Sequence, residues 1–220
     1  MMLFYEFFRW LGLILGYGLQ LIFFKRKTYY EDKKSQGRIV RGGALVISNH
    51  YGVFDYLMNM YLFPFRKLYV VMSEFIFQKS KAFNFLTKFH GGIRSDRDVM
   101  SMRFIDECVM ELENGHLVQI FPEAHNTPDG EMHDFKISYI LIALRADVPI
   151  LPVILDGQYG FFKRSRLIIG KKIYLTDYCT SLNPTREELL MLNSIVEEKC
   201  HELKRELLLK SKQKKEKHNA

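Results

Sequence analysis

Asn49-His50-Tyr51-Gly52-Val53-Phe54-Asp55 sets an imidazole and a carboxylate five residues apart, after the apolar run ALVIS at 44–48 and before an apolar helical stretch. A histidine so placed lies at the carboxyl edge of a sheet, the edge that ligand sites in open α/β folds use. Asp55, on the first turn of the following helix, can reach back to hydrogen-bond one imidazole nitrogen and leave the other to accept a proton. Such a pair takes a proton from an attacking alcohol and stabilises the imidazolium that forms, with no nucleophilic protein serine. A His and an Asp at this spacing are also common by chance, so the pair gains weight only from its neighbours.

Three further segments supply them. Gly91-Gly92-Ile93-Arg94-Ser95-Asp96-Arg97 places two arginines beside a glycine pair between helical stretches, where forked guanidinium hydrogen bonds can hold a phosphate. A solvated surface loop is the plain alternative. Phe121-Pro122-Glu123-Ala124-His125 follows a strand and puts a carboxylate at the same sheet edge. Val148-Pro149-Ile150-Leu151-Pro152-Val153 reads as a strand whose two prolines suit an edge or a bend better than a sheet interior. His125, His133 and Asp134 match no standard metal spacing and read as a polar loop, so no metal is expected.

In this order and at these separations, the four segments resemble the lysophospholipid or 1-acylglycerol-3-phosphate acyltransferase family, glycerolphospholipid acyltransferases with an HxxxxD motif. NHYGVFD looks like the first block, GGIRSDR the second, FPEAHNT the third and VPILPV the fourth, a likeness over about residues 37–155. The resemblance implies that His50 is the general base, Asp55 its orienting partner, Arg97 a phosphate ligand and Glu123 a residue positioning the glycerol acceptor. It implies transfer of an acyl group from acyl-CoA or acyl carrier protein to a lysophospholipid hydroxyl, with no other cofactor. The chain departs from the family where Gly52 replaces a usual hydroxyl residue, and where Ala124 and Asn126 stand in place of a common Gly and Arg. Arg94 and Lys136 are candidates to replace that missing cation. A different lysolipid or an amine-bearing lipid is the alternative acceptor, and a catalytically silent lipid-binding protein of the same fold is the alternative outside enzymes. No GxSxG elbow occurs, which argues against a serine hydrolase. Backbone amides around the NHYGVFD turn are expected to stabilise the oxyanion of the reaction.

The elements that must position these residues alternate along the chain. ALVIS, KLYVVMS at 67–73, LVQIF at 117–121 and PILPVIL at 149–155 read as buried strands, with another over 166–175. Residues 75–89, 99–114 and 136–146 have helical length and spacing. A last amphipathic helix starts near Thr185 and Glu188, at capping-box spacing, with Leu189, Leu192, Val196, Leu203 and Leu207 on one face. The expected fold is α/β, a single domain with a central mixed sheet flanked by helices and preceded by an N-terminal membrane-anchoring helix.

That anchor is residues 3–24, almost wholly apolar, with Glu6, Arg9, Gly12, Gly16 and Gln20 in a narrow stripe. It is expected to lie in the bilayer interface with the stripe toward water and protein, or to span at about the minimum of 20 residues. A buried core helix is the alternative. The net charge of +7 is concentrated in two flanks: residues 25–41 carry seven cations against Glu31 and Asp32, and residues 210–220 carry five Lys against Glu216. Such placement opposes a general nucleic-acid-binding face and suits anionic lipid at the cytoplasmic side of a membrane. Cys108, Cys179 and Cys200 form no paired spacing, which suggests neither a disulfide framework nor a zinc site. The chain divides into an anchor with a basic flank at 1–27, an acyltransferase domain at 28–209 and a basic tail at 210–220 expected to be disordered.

Overall fold

A computed structural model describes residues 2–63, 65–78, 80, 84–85, 87, 90–95, 102–127, 130–179 and 184–219. Its strands are β1 (Lys27–Tyr30), β2 (Ala44–Ile47), β3 (Leu68–Ser73), β4 (Gly92–Ser95), β5 (Leu117–Ile120), β6 (Ile150–Leu155) and β7 (Arg166–Ile169). The helices are α1 (Met2–Phe24), α2 (Val53–Met60), α3 (Glu74–Gln78), α4 (Met102–Glu113), α5 (Ser138–Arg145) and α6 (Arg186–Asn219). All seven strands join one sheet in the order β1-β7-β6-β2-β5-β3-β4. β6, β2, β5, β3 and β4 run parallel, so their carboxyl ends share one edge, while β7 is antiparallel to β6 and parallel to β1.

Continuous apolar runs form these strands because both sheet faces are covered. Side chains alternate across the sheet: Leu45, Ile47, Val118, Ile120, Ile150 and Ile154 pack with α4, α5 and α6. Ala44, Val46, Leu117, Leu151, Val153 and Leu155 pack with the end of α1, with α2 and with Leu62 and Phe63 after it. The result is the expected three-layer α/β domain with a central mixed sheet. Two strands carry no apolar run of their own, and sequence pattern misses both: β1, in the basic flank, and β4, within the expected loop 91–97.

The prolines are a correction. β6 is an interior strand, with Pro152 in register opposite Ile47 of β2. Pro152 is tolerated because its neighbour on the other side, Gly170, lies just past the end of β7. Gly170 donates to the Pro152 carbonyl at 2.9 Å. A Cβ on Gly170 would stand 2.8 Å from Pro152 Cγ, so the proline ring fills the space glycine leaves.

α6 starts at the expected box: Thr185 N–H donates to Glu188 Oε2 at 2.6 Å and Glu188 N–H to Thr185 Oγ1 at 3.2 Å. Leu189, Leu192, Val196, Leu203 and Leu207 are buried. The disorder expected over 210–220 is replaced by helix as far as Asn219. No Gly or Pro interrupts residues 186–219, Lys, Gln and Glu favour helix, and cations suit a helix C-terminus.

α1 turns two polar residues of its stripe inward, while Gly12 of the same stripe is exposed. Arg9, Gln20 and Phe24 are buried, and Arg9 Nη2 donates to the Leu68 carbonyl of β3 at 2.8 Å. Ile14, Leu15 and Leu19 are 69%, 69% and 71% exposed. Among the described residues, no helix is long and apolar enough to cross a membrane.

Candidate active site

Ser48 and Asn49 end β2 by extending its pairing with β6 through side chains. Ser48 Oγ donates to the Val153 carbonyl at 2.7 Å. Asn49 Nδ2 donates to the Leu155 carbonyl at 3.1 Å, and Leu155 N–H returns to Asn49 Oδ1 at 2.8 Å. The chain is thereby locked up to the residue before His50.

His50 is held on three sides. Its N–H donates to Glu123 Oε1 at 3.2 Å, and its carbonyl accepts from Thr127 N–H at 2.7 Å and Thr127 Oγ1 at 3.1 Å. Its ring lies over Phe121, with centroids 4.0 Å apart and planes inclined by 19°. Nδ1 is 2.8 Å from Asp55 Oδ2.

Asp55 is fully buried and sits in the first turn of α2. Its Oδ2 also accepts Tyr51 N–H at 2.6 Å and Gly52 N–H at 2.8 Å, and its Oδ1 accepts the Tyr159 hydroxyl. A carboxylate whose two oxygens already take three donors accepts only, so the hydrogen of its fourth contact resides on His50 Nδ1. Nε2 then carries a lone pair. The His50 side chain is 20% exposed, and none of the described residues hydrogen-bonds Nε2.

Gly52, at the head of α2, leaves open space where a Cβ would stand, so the hydroxyl residue usual there is absent without steric cause. Gly157 is different: its φ is +67°, and a Cβ would approach the Tyr51 ring to 2.6 Å. Glycine lets the 156–160 loop close on Tyr51. Burial, then the charges of Asp156, Asp55 and Glu123, push the Tyr51 phenol up to about 12. Burial and the adjoining Asp55 raise the Tyr159 phenol well above its ordinary value, keeping it a hydrogen-bond donor.

The expected site residues separate into two groups. His50, Asp55 and Glu123 come together. Glu123 is fully buried, with Oε1 on His50 N–H and Oε2 on His133 N–H at 3.0 Å. Oε1 thereby ties the third block to the first, and Oε2 holds the chain at His133. Arg94 is exposed at the end of β4, its Nη1 3.5 Å from Glu74 Oε1, and lies three strands from β2, about 14 Å by strand spacing. Lys136 is exposed, with its backbone N–H on the Pro122 carbonyl at 2.9 Å. Arg97 lies outside the described residues. His125 and His133 lie side by side with centroids 5.1 Å apart and planes tilted by 49°, both exposed.

Ala124 has a φ of +60°, a left-handed conformation that L side chains resist, and this explains why glycine is usual at that place. Sequence reasoning missed Tyr159, 104 residues from Asp55 and in no recognisable block. The amides of His50, Tyr51 and Gly52 are committed to Glu123 and Asp55, which narrows the turn's expected oxyanion donors to the amides that follow.

Known proteins resemble this chain in sequence and in fold. A Caenorhabditis elegans protein named for 1-acyl-sn-glycerol-3-phosphate acyltransferase activity is 33% identical over 140 residues, 62% of this chain and 48% of its own. The 1-acyl-sn-glycerol-3-phosphate acyltransferase of Limnanthes alba is 28% identical over 141 residues, 64% of this chain and 50% of its own. The chain thus spans about half the length of the curated relatives it matches. In fold, it resembles the crystal structure of the 1-acyl-sn-glycerophosphate acyltransferase PlsC from Thermotoga maritima, with a TM-score of 0.57 and 22% identity. That likeness covers 82% of this chain and 73% of the other. The family model described as Acyltransferase matches residues 25–156, well over half of the sequence, and the chain belongs to that acyltransferase family.

Proposed function

We propose that this chain transfers a fatty acyl group from acyl-CoA or acyl carrier protein to the hydroxyl of a lysophospholipid, with 1-acyl-glycerol-3-phosphate giving phosphatidic acid. The observation that carries this reading is the 2.8 Å contact between His50 Nδ1 and buried Asp55, which leaves Nε2 open at the carboxyl edge of the sheet. Nε2 takes the acceptor's hydroxyl proton as its oxygen attacks the thioester carbonyl. The tetrahedral oxyanion collapses, the C–S bond breaks, and the departing thiolate takes the proton from the imidazolium. Asp55 holds the ring and stabilises its positive charge. With the Tyr51 and Gly52 amides committed to Asp55, the first-turn amides of Val53 and Phe54 remain as backbone candidates for the oxyanion. Arg94, Arg97 and Lys136 are proposed to supply cations for the acceptor's phosphate, Arg94 leaving β4 at the same edge as His50.

The chain works at the cytoplasmic face of a membrane in this reading, with α1 lying in the interface. Support comes from its inverted amphipathicity: Arg9 and Gln20 face protein while Ile14, Leu15 and Leu19 face out. The test is turnover of labelled long-chain acyl-CoA or acyl carrier protein with a panel of lysolipids, beside His50→Ala. Loss of at least about a hundredfold, the low end of general-base contributions, is expected. Equal turnover by the variant rejects the mechanism, and a preferred acceptor without phosphate rejects the substrate.

A further inference from the structure

The segment between β6 and β7 contains a short loop whose tip has no task inside the fold. Lys163 N–H donates to the Gly160 carbonyl at 3.1 Å, closing a turn that carries Phe161 and Phe162 at its apex. The neck is tied by Ser165 Oγ to the Gln158 carbonyl. It is also tied to α1's end: Ser165 N–H donates to the Phe24 carbonyl at 2.9 Å, and Lys27 N–H to the Ser165 carbonyl at 2.8 Å. The apex is therefore a fixed projection. Phe162 is 102% exposed, a whole benzyl group in water. The next residues, Lys163 and Arg164, are exposed and have no ion-pair partner among the described residues.

A lone exposed phenylalanine needs no explanation. This one adjoins a larger surface: Phe161 packs edge-on against Phe23 of α1 at 5.2 Å, and Phe23 contacts Phe54, the residue before Asp55, at 5.1 Å. Aromatic rings continue the outward apolar face of α1 across to the catalytic turn. Two unpaired cations beside an apolar tip match an anionic bilayer, where rings enter the headgroup level and cations meet phosphates.

We propose that Phe161-Phe162-Lys163-Arg164 is a second bilayer contact, inserted into the interface of an anionic phospholipid membrane next to α1; this rests on the reading that α1 lies on a membrane. The loop's root carries Tyr159, whose hydroxyl holds Asp55, so the lipid surface would bear on the same short segment that orients the catalytic pair.

Fluorescence quenching tests it on the full chain. Trp10→Phe removes the single tryptophan. In that background, Phe162→Trp and Leu15→Trp are made separately, both at exposed positions where the fold is indifferent to the exchange. Each is mixed with vesicles whose acyl chains are brominated, of phosphatidylcholine with and without phosphatidylglycerol. Quenching and a blue shift at both positions are expected. Lys163→Gln and Arg164→Gln should each weaken binding to the phosphatidylglycerol vesicles about fivefold, with little change on phosphatidylcholine alone. Quenching at position 15 without quenching at 162 overturns the loop contact and leaves α1's role standing. No quenching at either position overturns both.

Discussion

Asp55→Asn isolates the charge of the carboxylate proposed to assist His50 from its geometry. Oδ2 gathers three N–H donors, from His50 Nδ1, Tyr51 and Gly52, whereas Oδ1 meets only the Tyr159 hydroxyl. An asparagine must therefore place its oxygen where Oδ2 stands, since an NH2 there would face three donors. Its NH2 then faces Tyr159, whose oxygen can accept. The imidazole keeps its orientation and tautomer, and only the negative charge beside the transient imidazolium is lost. At about 4 Å between charge centres and an effective dielectric of about 20, that charge contributes about 4 kcal/mol. The expected fall in kcat is about a thousandfold. The assay is acyl-CoA turnover with lysophosphatidate, alongside imidazole nitrogen chemical shifts that report the tautomer. A kcat within about tenfold of the parent, with the tautomer unchanged, would refute the electrostatic role of Asp55.

Tyr159→Phe removes one donor to the same carboxylate and should lower kcat about tenfold to a hundredfold, as expected for a hydrogen bond to a charged group. Because the Tyr159 phenol titrates well above its ordinary value, the deficit should be equal at pH 7 and pH 9, and a deficit that vanishes at the higher pH would contradict it. Glu123→Gln turns one acceptor oxygen into an NH2 facing a backbone N–H, so chemical denaturation should show a loss of about 2 kcal/mol; unchanged stability with raised KM would instead indicate direct acceptor contact. Ala124→Gly relieves the left-handed residue at φ +60° and should raise stability by up to about 1 kcal/mol, or a few degrees in Tm, measured calorimetrically.

The sheet's interior was legible because strands covered on both faces need unbroken apolar runs, and β2, β3, β5 and β6 have them. His50 and Asp55 were legible because the contact is local, made within one turn after a strand. What escaped is long-range or nearly patternless. The hydroxyl of Tyr159 reaches Asp55 only once β6 returns to lie beside β2. β1 and β4 are four-residue strands whose pairing partners lie elsewhere in the chain. Pro152 looked foreign to an interior strand because its permission comes from Gly170, where β7 has already ended. The burial of Glu123 was illegible for a similar reason, since it is a property of the assembled loops.

The inward face of α1 makes this helix a roof as well as a keel. Phe24 is part of the core beneath it, Arg9 stitches it to the β3 backbone, and a Cβ on Gly16 would collide with the Tyr61 hydroxyl. Cutting away residues 1–24 would strip this cover from the sheet, and losing a buried ring such as Phe24 alone costs about 3–5 kcal/mol. A truncated chain should precipitate instead of floating free as a tidy catalytic remnant. Redesign of this surface has its room on the outer flank, where Ile14, Leu15 and Leu19 are exposed and can be exchanged for polar side chains while the timber underneath stays in place.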